Sequence, residues 1–342
     1  MQAQGVDSGS VWPQSWSCRV FSMTKVFDVR KIGTILAALT TWVLAGITAP
    51  PSYAAQLTWK KVQVEGNERH FLVDRPASFA DTDHSVLVIL HGFSSNPLDA
   101  RAEMGFDQLE NRDDFLFVFP EGTGPSATEL SWNAGFCCRY AMQHGVDDVA
   151  FLDRVVDKLA TETRVDRRRI YVTGFSNGAL LAYRWGAARA QTVAGIAAVA
   201  GAIGGKAGFF EPEVRIAEPQ RPISVLIVHG EKDTFFPYEG GVSQALMSRL
   251  PGRASASVAD TISFWRRSDG CIGDPETSPA NRQGVRLQRF ARCRNGTAVE
   301  AWTFAQMGHE WPKRLDQAPS KPLFDDYVLE FFRNHPKSDQ AP

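Results

Sequence analysis

One stretch of the chain holds a serine in a setting that suits nucleophilic catalysis. Residues 174–178 read Gly-Phe-Ser-Asn-Gly, after an apolar run at 170–173 and before a helical pattern at 177–190. A Gly-x-Ser-x-Gly turn between a strand and a helix holds the serine hydroxyl clear of the sheet edge. The glycines, which lack Cβ, allow so tight a turn. The pattern therefore predicts that Ser176 is a nucleophile.

A serine hydroxyl needs a base to accept its proton and a third group to orient that base. Asp233 comes directly after a predicted strand at 223–228, and His309 lies in a turn after another predicted strand at 299–304. The carboxyl ends of parallel strands meet at one edge of a sheet, so these side chains are expected to converge there. We predict that His309 acts as general base and then general acid, and that Asp233 orients it.

Other residues compete for these two roles. Glu231 is an alternative acid, because it lies in the same turn as Asp233. The histidines that compete with His309 lie before the serine, within or at the end of a strand, in the long loop or in the tail, so His309 is preferred. They are His70, His84, His144, His229 and His335.

Two backbone N–H groups are predicted to bind a developing oxyanion. The N–H of Asn177 lies at the start of a helix, where the unpaired donors and the helix dipole favour negative charge. The second candidate is the N–H of Phe93, because Gly92 follows a buried strand at 85–90 and lets the backbone present its donors. An ordinary strand-to-loop turn at 91–96 is the alternative interpretation.

The elements that position these residues follow from apolar periodicity. Residues 56–64 and 69–73 alternate as an antiparallel hairpin would. Apolar runs typical of buried strands occur at 85–90, 115–120, 170–173, 193–200 and 223–228, further strands are expected at 285–290 and 299–304, and helices at 98–112, 146–156, 177–190, 256–267 and 324–332. Strands that alternate with helices predict an α/β fold: a mostly parallel sheet with helices on both faces.

Several loop residues have two interpretations. We predict that Trp132, Phe235 and Trp311 contact the substrate, because aromatic side chains near the ends of the strands bind apolar groups. They could equally pack beneath the long loops. Asp147 and Asp148, by contrast, are expected at the start of a helix, where acidic side chains suit the helix dipole.

The first 54 residues are interpreted as a leader with a signal peptide. Basic residues at Lys25, Arg30 and Lys31 precede an apolar stretch at 32–47, and small residues follow it, so cleavage is predicted after Ala54. A retained membrane anchor is the alternative, although the stretch is shorter than the roughly 20 apolar residues that a span needs.

Cleavage would leave a single domain at 55–336, a short tail at 337–342, and a secreted or periplasmic protein that no longer contacts the membrane. Translation could begin at Met1 or at Met23.

Export implies an oxidising compartment, in which cysteines pair. Cys18 falls in the leader, which leaves four cysteines. Cys271 and Cys293 flank a polar loop and are expected to form a disulfide, which leaves the neighbours Cys137 and Cys138 to form a second one. No second Cys pair or His doublet has the spacing of zinc ligands, so no metal site is expected.

The composition limits the partners. The 342 residues carry a formal net charge of −1 and have no cluster of Lys and Arg, which argues against a nucleic-acid partner. With 44% hydrophobic residues the chain is large enough for one substantial core.

Several spaced motifs together carry a resemblance. They are Leu90-His91-Gly92 and the segments at 131–138, 146–151, 174–179, 229–233 and 308–312. The chain resembles, over about 57–332, the secreted polyhydroxybutyrate-depolymerase-like esterases, a group that includes feruloyl and acetylxylan esterases. The resemblance implies an α/β-hydrolase fold, hydrolysis of carboxylic esters, and a triad of Ser176, Asp233 and His309. We expect no cofactor. The order Ser, Asp, His along the chain is also that of α/β-hydrolases.

The substrate stays open between hydroxyalkanoate esters and feruloyl or acetyl-xylan esters. A small or polymeric ester is the expected partner. A serine peptidase or thioesterase on the same fold, or a non-catalytic binding protein, are the alternatives.

Overall fold

Ten strands form the main sheet of the computed structural model, which describes residues 56–76, 82–109, 112–245, 252–280, 284–313 and 323–338. In spatial order the strands are β1 (Gln56–Val64), β2 (Asn67–Arg75), β4 (Phe115–Pro120), β3 (His84–Leu90), β5 (Val165–Phe175), β6 (Gly195–Val199), β9 (Ser224–Gly230), β14 (Val299–Phe304), β13 (Val285–Phe290) and β12 (Glu276–Ser278). The expected leader, its cleavage site and Cys18 lie outside the described residues.

The centre of this sheet is parallel. Neighbouring strands from β4 to β14 pair in parallel, whereas the strands at both edges pair antiparallel. The central strands β3, β4, β6 and β9 are buried along their whole length, as strands covered on both faces must be. The expected mostly parallel sheet is confirmed.

Helices cover both faces of the sheet. Along β3, Val86 and Val88 join a core with helices α3 (Asp148–Glu162), α4 (Asn177–Ala188) and α5 (Val258–Ser268), while Leu87 joins the opposite core. That opposite core contains apolar side chains of α1 (Pro97–Met104) and α6 (Phe324–Asn334). Alternation along one strand therefore supplies two cores, as the pleat requires.

Some features differ from the sequence-based expectation. Helix α1 ends at Met104 rather than near residue 112, because Gly105 takes a left-handed conformation with φ of 67° and ends the helix. A second sheet was not expected: it pairs β10 (Gly241–Val242), β11 (Ala254–Ser255), β7 (Gly204–Lys206) and β8 (Glu213–Arg215). A short helix, α2 (Arg139–Gln143), follows the vicinal cysteines.

Helix α3 begins as expected. The side chain of Asp147 caps it by accepting the N–H of Ala150, and the buried Asp148 pairs with Arg69 at 2.8 Å. None of the helices in the described residues has the length and apolar character needed to cross a bilayer.

Candidate active site

The Gly-x-Ser-x-Gly turn joins β5 to α4 through a single strained residue. Ser176 has φ of 55° and ψ of −119°, a combination that non-glycine residues rarely adopt and that proteins tolerate at functional sites. A Cβ on Gly174 would come within 2.5 Å of the Gly178 carbonyl, and one on Gly178 within 2.2 Å of the Leu90 oxygen. Both glycines therefore allow α4 to start against the ends of β3 and β5.

The three side chains expected to form a triad lie within hydrogen-bonding distance. His309 Nε2 lies 2.8 Å from Ser176 Oγ, and His309 Nδ1 lies 2.8 Å from Asp233 Oδ2. The tautomer that satisfies both contacts carries its proton on Nδ1, so Nε2 accepts the serine O–H. This arrangement can deprotonate Ser176 and hold the resulting imidazolium.

Asp233 is buried and fully used as an acceptor. Its Oδ1 accepts the N–H groups of Phe235 at 2.8 Å and Phe236 at 2.9 Å. Burial acts to raise the pKa of Asp233, but the bond and charge of His309, with the Phe236 N–H, outweigh it and lower the pKa. Asp233 therefore stays a carboxylate. Glu231, the alternative acid, instead pairs with Arg286.

A second histidine lies beneath this carboxylate. His229 is buried, its Nε2 donates to the carbonyl of Phe236 at 2.8 Å and lies 3.4 Å from Asp233 Oδ2. Burial lowers the pKa of His229, which keeps the ring neutral. His229 thus holds the turn that supplies N–H donors to Asp233. The sequence marked it only as a competitor for the role of base.

A third histidine holds the turn that carries the predicted oxyanion donor. His91 Nδ1 donates to the Gly92 carbonyl at 2.7 Å, and His91 Nε2 accepts the Gly122 N–H at 3.0 Å. Burial lowers the pKa of His91 to about 4, so the ring is neutral and can accept as well as donate. Phe93 follows this turn and lines the same cavity as Ser176. Sequence reasoning did not assign His91 a role.

A cavity of about 320 Å³ opens at Ser176. Its size is at the lower end of small-molecule sites. Its lining residues are Gly92, Phe93, Ser94, Ser95, Glu103, Cys138, Arg139, Phe175, Ser176, Phe235, Phe236, Arg253 and His309. The predicted contact residue Phe235 is among them, and its ring stacks on that of His309 with centroids 4.6 Å apart.

The other two predicted contact residues, Trp132 and Trp311, do not reach the cavity. Trp132 has no exposed surface, and its indole N–H donates to the His91 carbonyl. Trp311 is 7% exposed and donates to Asp325 in the core around α6. The expectation of substrate contact is corrected for both: a buried indole satisfies its polar N–H internally, so each ring packs beneath a loop.

The four cysteines of the described residues form two disulfides, Cys137–Cys138 and Cys271–Cys293, which are the expected pairs. Cys138 lines the cavity, whereas the other disulfide closes a loop elsewhere. Within the described ranges, no group of three or more His, Cys, Asp or Glu side chains is arranged to hold a metal ion.

Comparisons with known proteins agree with this architecture. The family described as Phospholipase/Carboxylesterase matches residues 141–250. Feruloyl esterase B of Piromyces equi is 26% identical over 246 residues, which is 70% of this chain and 40% of that protein. The candidate esterase NocK of Nocardia uniformis subsp. tsuyamanensis is 26% identical over 273 residues, which is 77% of this chain and 76% of that protein.

The acetyl xylan esterase structure from Aspergillus awamori has the same fold. It superposes with a TM-score of 0.53 and 13% identity, over 81% of this chain and 99% of that one. The chain thus has an α/β-hydrolase fold and is similar in sequence to esterases, as the resemblance carried by the motifs led us to expect. It spans less than half the length of feruloyl esterase B.

Proposed function

We propose that the protein is an exported serine esterase that hydrolyses carboxylic esters through an acyl-enzyme. The observation that carries the proposal is the chain of contacts from Ser176 through His309 to Asp233, each 2.8 Å long, at the floor of a cavity. The relatives named as esterases support the reaction class. The single catalytic domain at 55–336 and export through the leader are part of the proposal.

The reaction begins with proton transfer. His309 Nε2 takes the hydroxyl proton of Ser176 as Oγ attacks the ester carbonyl, and Asp233 stabilises the imidazolium that forms. The carbonyl oxygen becomes an oxyanion, for which the N–H groups of Asn177 and Phe93 are the proposed donors. His309 then gives the proton to the departing alcohol, which leaves the acyl group on Ser176.

Water completes the cycle. His309 accepts a proton from a water molecule, which attacks the acyl carbonyl and releases the carboxylic acid. The chemistry uses only side chains and backbone of this chain, so no cofactor is proposed. Hydroxyalkanoate esters and feruloyl or acetyl-xylan esters are the proposed substrate types.

The test is a serine substitution with a matched control. We expect Ser176→Ala to lower turnover of an ester by at least about 10³-fold while the protein stays folded. Ser126→Ala, at an exposed loop serine, is expected to retain full activity and labelling by a fluorophosphonate. Retained turnover or labelling in Ser176→Ala would contradict the proposal.

The substrate class is tested by side-by-side rates on methyl ferulate, acetylated xylan, hydroxybutyrate oligomers, a peptide and a thioester. Faster turnover of the peptide or thioester than of every oxygen ester would favour those activities on the same triad.

A further inference from the structure

A buried arginine on the cavity wall has no acidic partner among the described residues. Arg253 is 3% exposed, and its Nη1 donates to Cys137 Sγ at 3.1 Å and its Nη2 to the Phe235 carbonyl at 3.0 Å. Its Nε has no partner in the described residues, and the guanidinium stacks 4.4 Å from the centroid of the Phe236 ring. All of these partners are neutral.

The other buried arginines differ in this respect. Arg69 pairs with Asp148 at 2.8 Å, and Arg112 lies 3.6 Å from Asp74. A buried cation without a counter-ion is costly, so proteins usually pair it. Asp233 acts on Arg253 at longer range, but the oxygens of that carboxylate are already used by His309 and two backbone N–H groups.

A second arginine lines the same cavity. Arg139 is exposed, directly follows Cys138, and lies with its guanidinium carbon 5.6 Å from the centroid of the Phe93 ring. It forms no ion pair within the part of the chain that the structure describes. The vicinal disulfide connects the two cations, since Cys137 accepts from Arg253 and Cys138 precedes Arg139.

The backbone around the cavity is unusually constrained. Six described non-glycine residues have a positive φ, and three of them line this cavity: Ser94 at 59°, Arg139 at 41° and Ser176 at 55°. Conformations of this kind concentrate at active sites and ligand clamps. Arg139 therefore shares a cavity and an uncommon backbone conformation with the nucleophile.

Resting on the proposed function, we propose that Arg253 and Arg139 bind a carboxylate on the alcohol portion of the ester. The site would then be selective for esters of hydroxy acids with a free acid end, such as a short hydroxyalkanoate oligomer. His309 would protonate the departing alcohol, and Arg253 donates a hydrogen bond to the carbonyl of Phe235, whose ring stacks on His309. The proposal therefore places the alcohol portion beside this arginine.

The charges and size of the cavity suit such a substrate. Glu103 also lines the cavity and would repel a carboxylate, which leaves the wall that carries the two arginines as its binding position. A volume of about 320 Å³ accommodates a short oligomer. Feruloyl and acetyl esters of neutral sugars carry no anion to pair with the arginines.

The experiment compares the linear dimer of 3-hydroxybutyrate with its methyl ester and follows cleavage of the internal ester bond. We expect wild type to prefer the free acid, and Arg253→Met and Arg139→Gln each to lower kcat/KM for the free acid at least about tenfold relative to the methyl ester. Arg253→Lys should retain part of the preference.

Arg266→Met is the matched control. Arg266 also stacks on a phenylalanine, with its guanidinium carbon 4.7 Å from the Phe290 ring centroid, but it does not line the cavity. We expect it to keep the wild-type preference. Arg139 is exposed, so Arg139→Gln remains informative even if Arg253→Met does not fold.

A neutral ester separates the two levels of the proposal. Suppose that 4-nitrophenyl butyrate is hydrolysed in a Ser176-dependent manner, but the ratio of kcat/KM for the free acid to kcat/KM for the methyl ester is the same in wild type and both arginine variants. The arginine proposal is then overturned and the esterase proposal stands. If no ester is hydrolysed in that manner, the proposed function itself is overturned.

Discussion

Asn177 and Trp132 are joined by two reciprocal hydrogen bonds. The N–H of Trp132 donates to Asn177 Oδ1 at 2.8 Å, and Asn177 Nδ2 donates to the Trp132 carbonyl at 3.0 Å. The Trp132 indole N–H in turn donates to the carbonyl of His91. The loop that contains Trp132 therefore holds both Asn177 and the turn before Phe93. The N–H groups of Asn177 and Phe93 are the two proposed oxyanion donors.

Removal of this amide is expected to affect catalysis more than binding. Asn177→Ala leaves the N–H of Trp132 without a partner in a buried site, which costs about 1–3 kcal/mol, and leaves its carbonyl with only the N–H of Cys138 at 3.3 Å. We expect kcat to fall by about 10-fold to 100-fold with little change in KM, measured by steady-state kinetics. Asn67→Ala, at an exposed asparagine, is the control. Unchanged kcat in folded Asn177→Ala would show that the loop does not support the oxyanion donors.

Substitution of the acid distinguishes the two candidates in one turn. Asp233→Asn keeps the shape but removes the charge that orients His309, so we expect kcat to fall by about 10³-fold to 10⁴-fold. Glu231→Gln breaks only the contact with Arg286, so turnover should change less than twofold, within about 0.4 kcal/mol. A large loss in the second variant and none in the first would reverse the assignment.

Asp325 is expected to make stability depend on pH. Burial raises its pKa from 3.8 to about 7, although the Trp311 N–H bond and the charge of Lys313 act in the opposite direction. Between these two values the folded protein binds more protons than the unfolded chain, so this group lowers the free energy of unfolding as pH rises through that range.

Asp325→Asn tests this sign. The amide oxygen can still accept from Trp311 without a buried charge, so we expect the variant to be more stable than wild type by up to about 4 kcal/mol at pH 8, and by less at pH 5. Urea unfolding at both pH values measures the difference. The exposed control Asp157→Asn should give no such pH dependence, and an equal effect of Asp325→Asn at both pH values would contradict the prediction.

The two disulfides are expected to have separable effects. Cys271 and Cys293 close a loop with a sequence separation of 22, so replacing both by alanine should lower the free energy of unfolding by about 3 kcal/mol and leave kcat/KM unchanged. Replacing Cys137 and Cys138 should change kcat/KM instead, because Cys138 lines the cavity. Thermal unfolding and kinetics on both double variants measure this; a loss of activity in the first and none in the second would contradict it.

The parallel strands and the convergence of three side chains could be predicted because the signals are local. Each buried strand is a continuous apolar run, and a polar residue that follows it has to lie at the sheet edge. The bounds of the strands differ from the expectation: β5 begins at Val165, before the expected 170, because the arginines at 167–169 break the apolar run without ending the strand.

The walls of the cavity could not be predicted because they depend on how distant loops pack. Trp132 and Trp311 are aromatic residues of loops, as Phe235 is, yet of these three only Phe235 lines the cavity.

The small sheet could not be predicted either, because its pairing also depends on how distant segments pack. Its strands are two or three residues long, and Gly205 lies so close to Ala254 that an added Cβ would come within 2.0 Å of the Ala254 oxygen, a contact that no local pattern indicates.

The order of the strands also determines where the chain can tolerate insertions and deletions. Asp233 and His309 follow the adjacent strands β9 and β14, and only β6 separates β9 from β5, which ends next to Ser176. Neighbouring strands lie about 4.8 Å apart, so the turns that carry Ser176, Asp233 and His309 start from fixed positions along the sheet edge and close the remaining distance themselves. Insertions or deletions in the connections between those strands, outside these turns, would change the shape of the cavity and leave the three side chains at the same distances from one another.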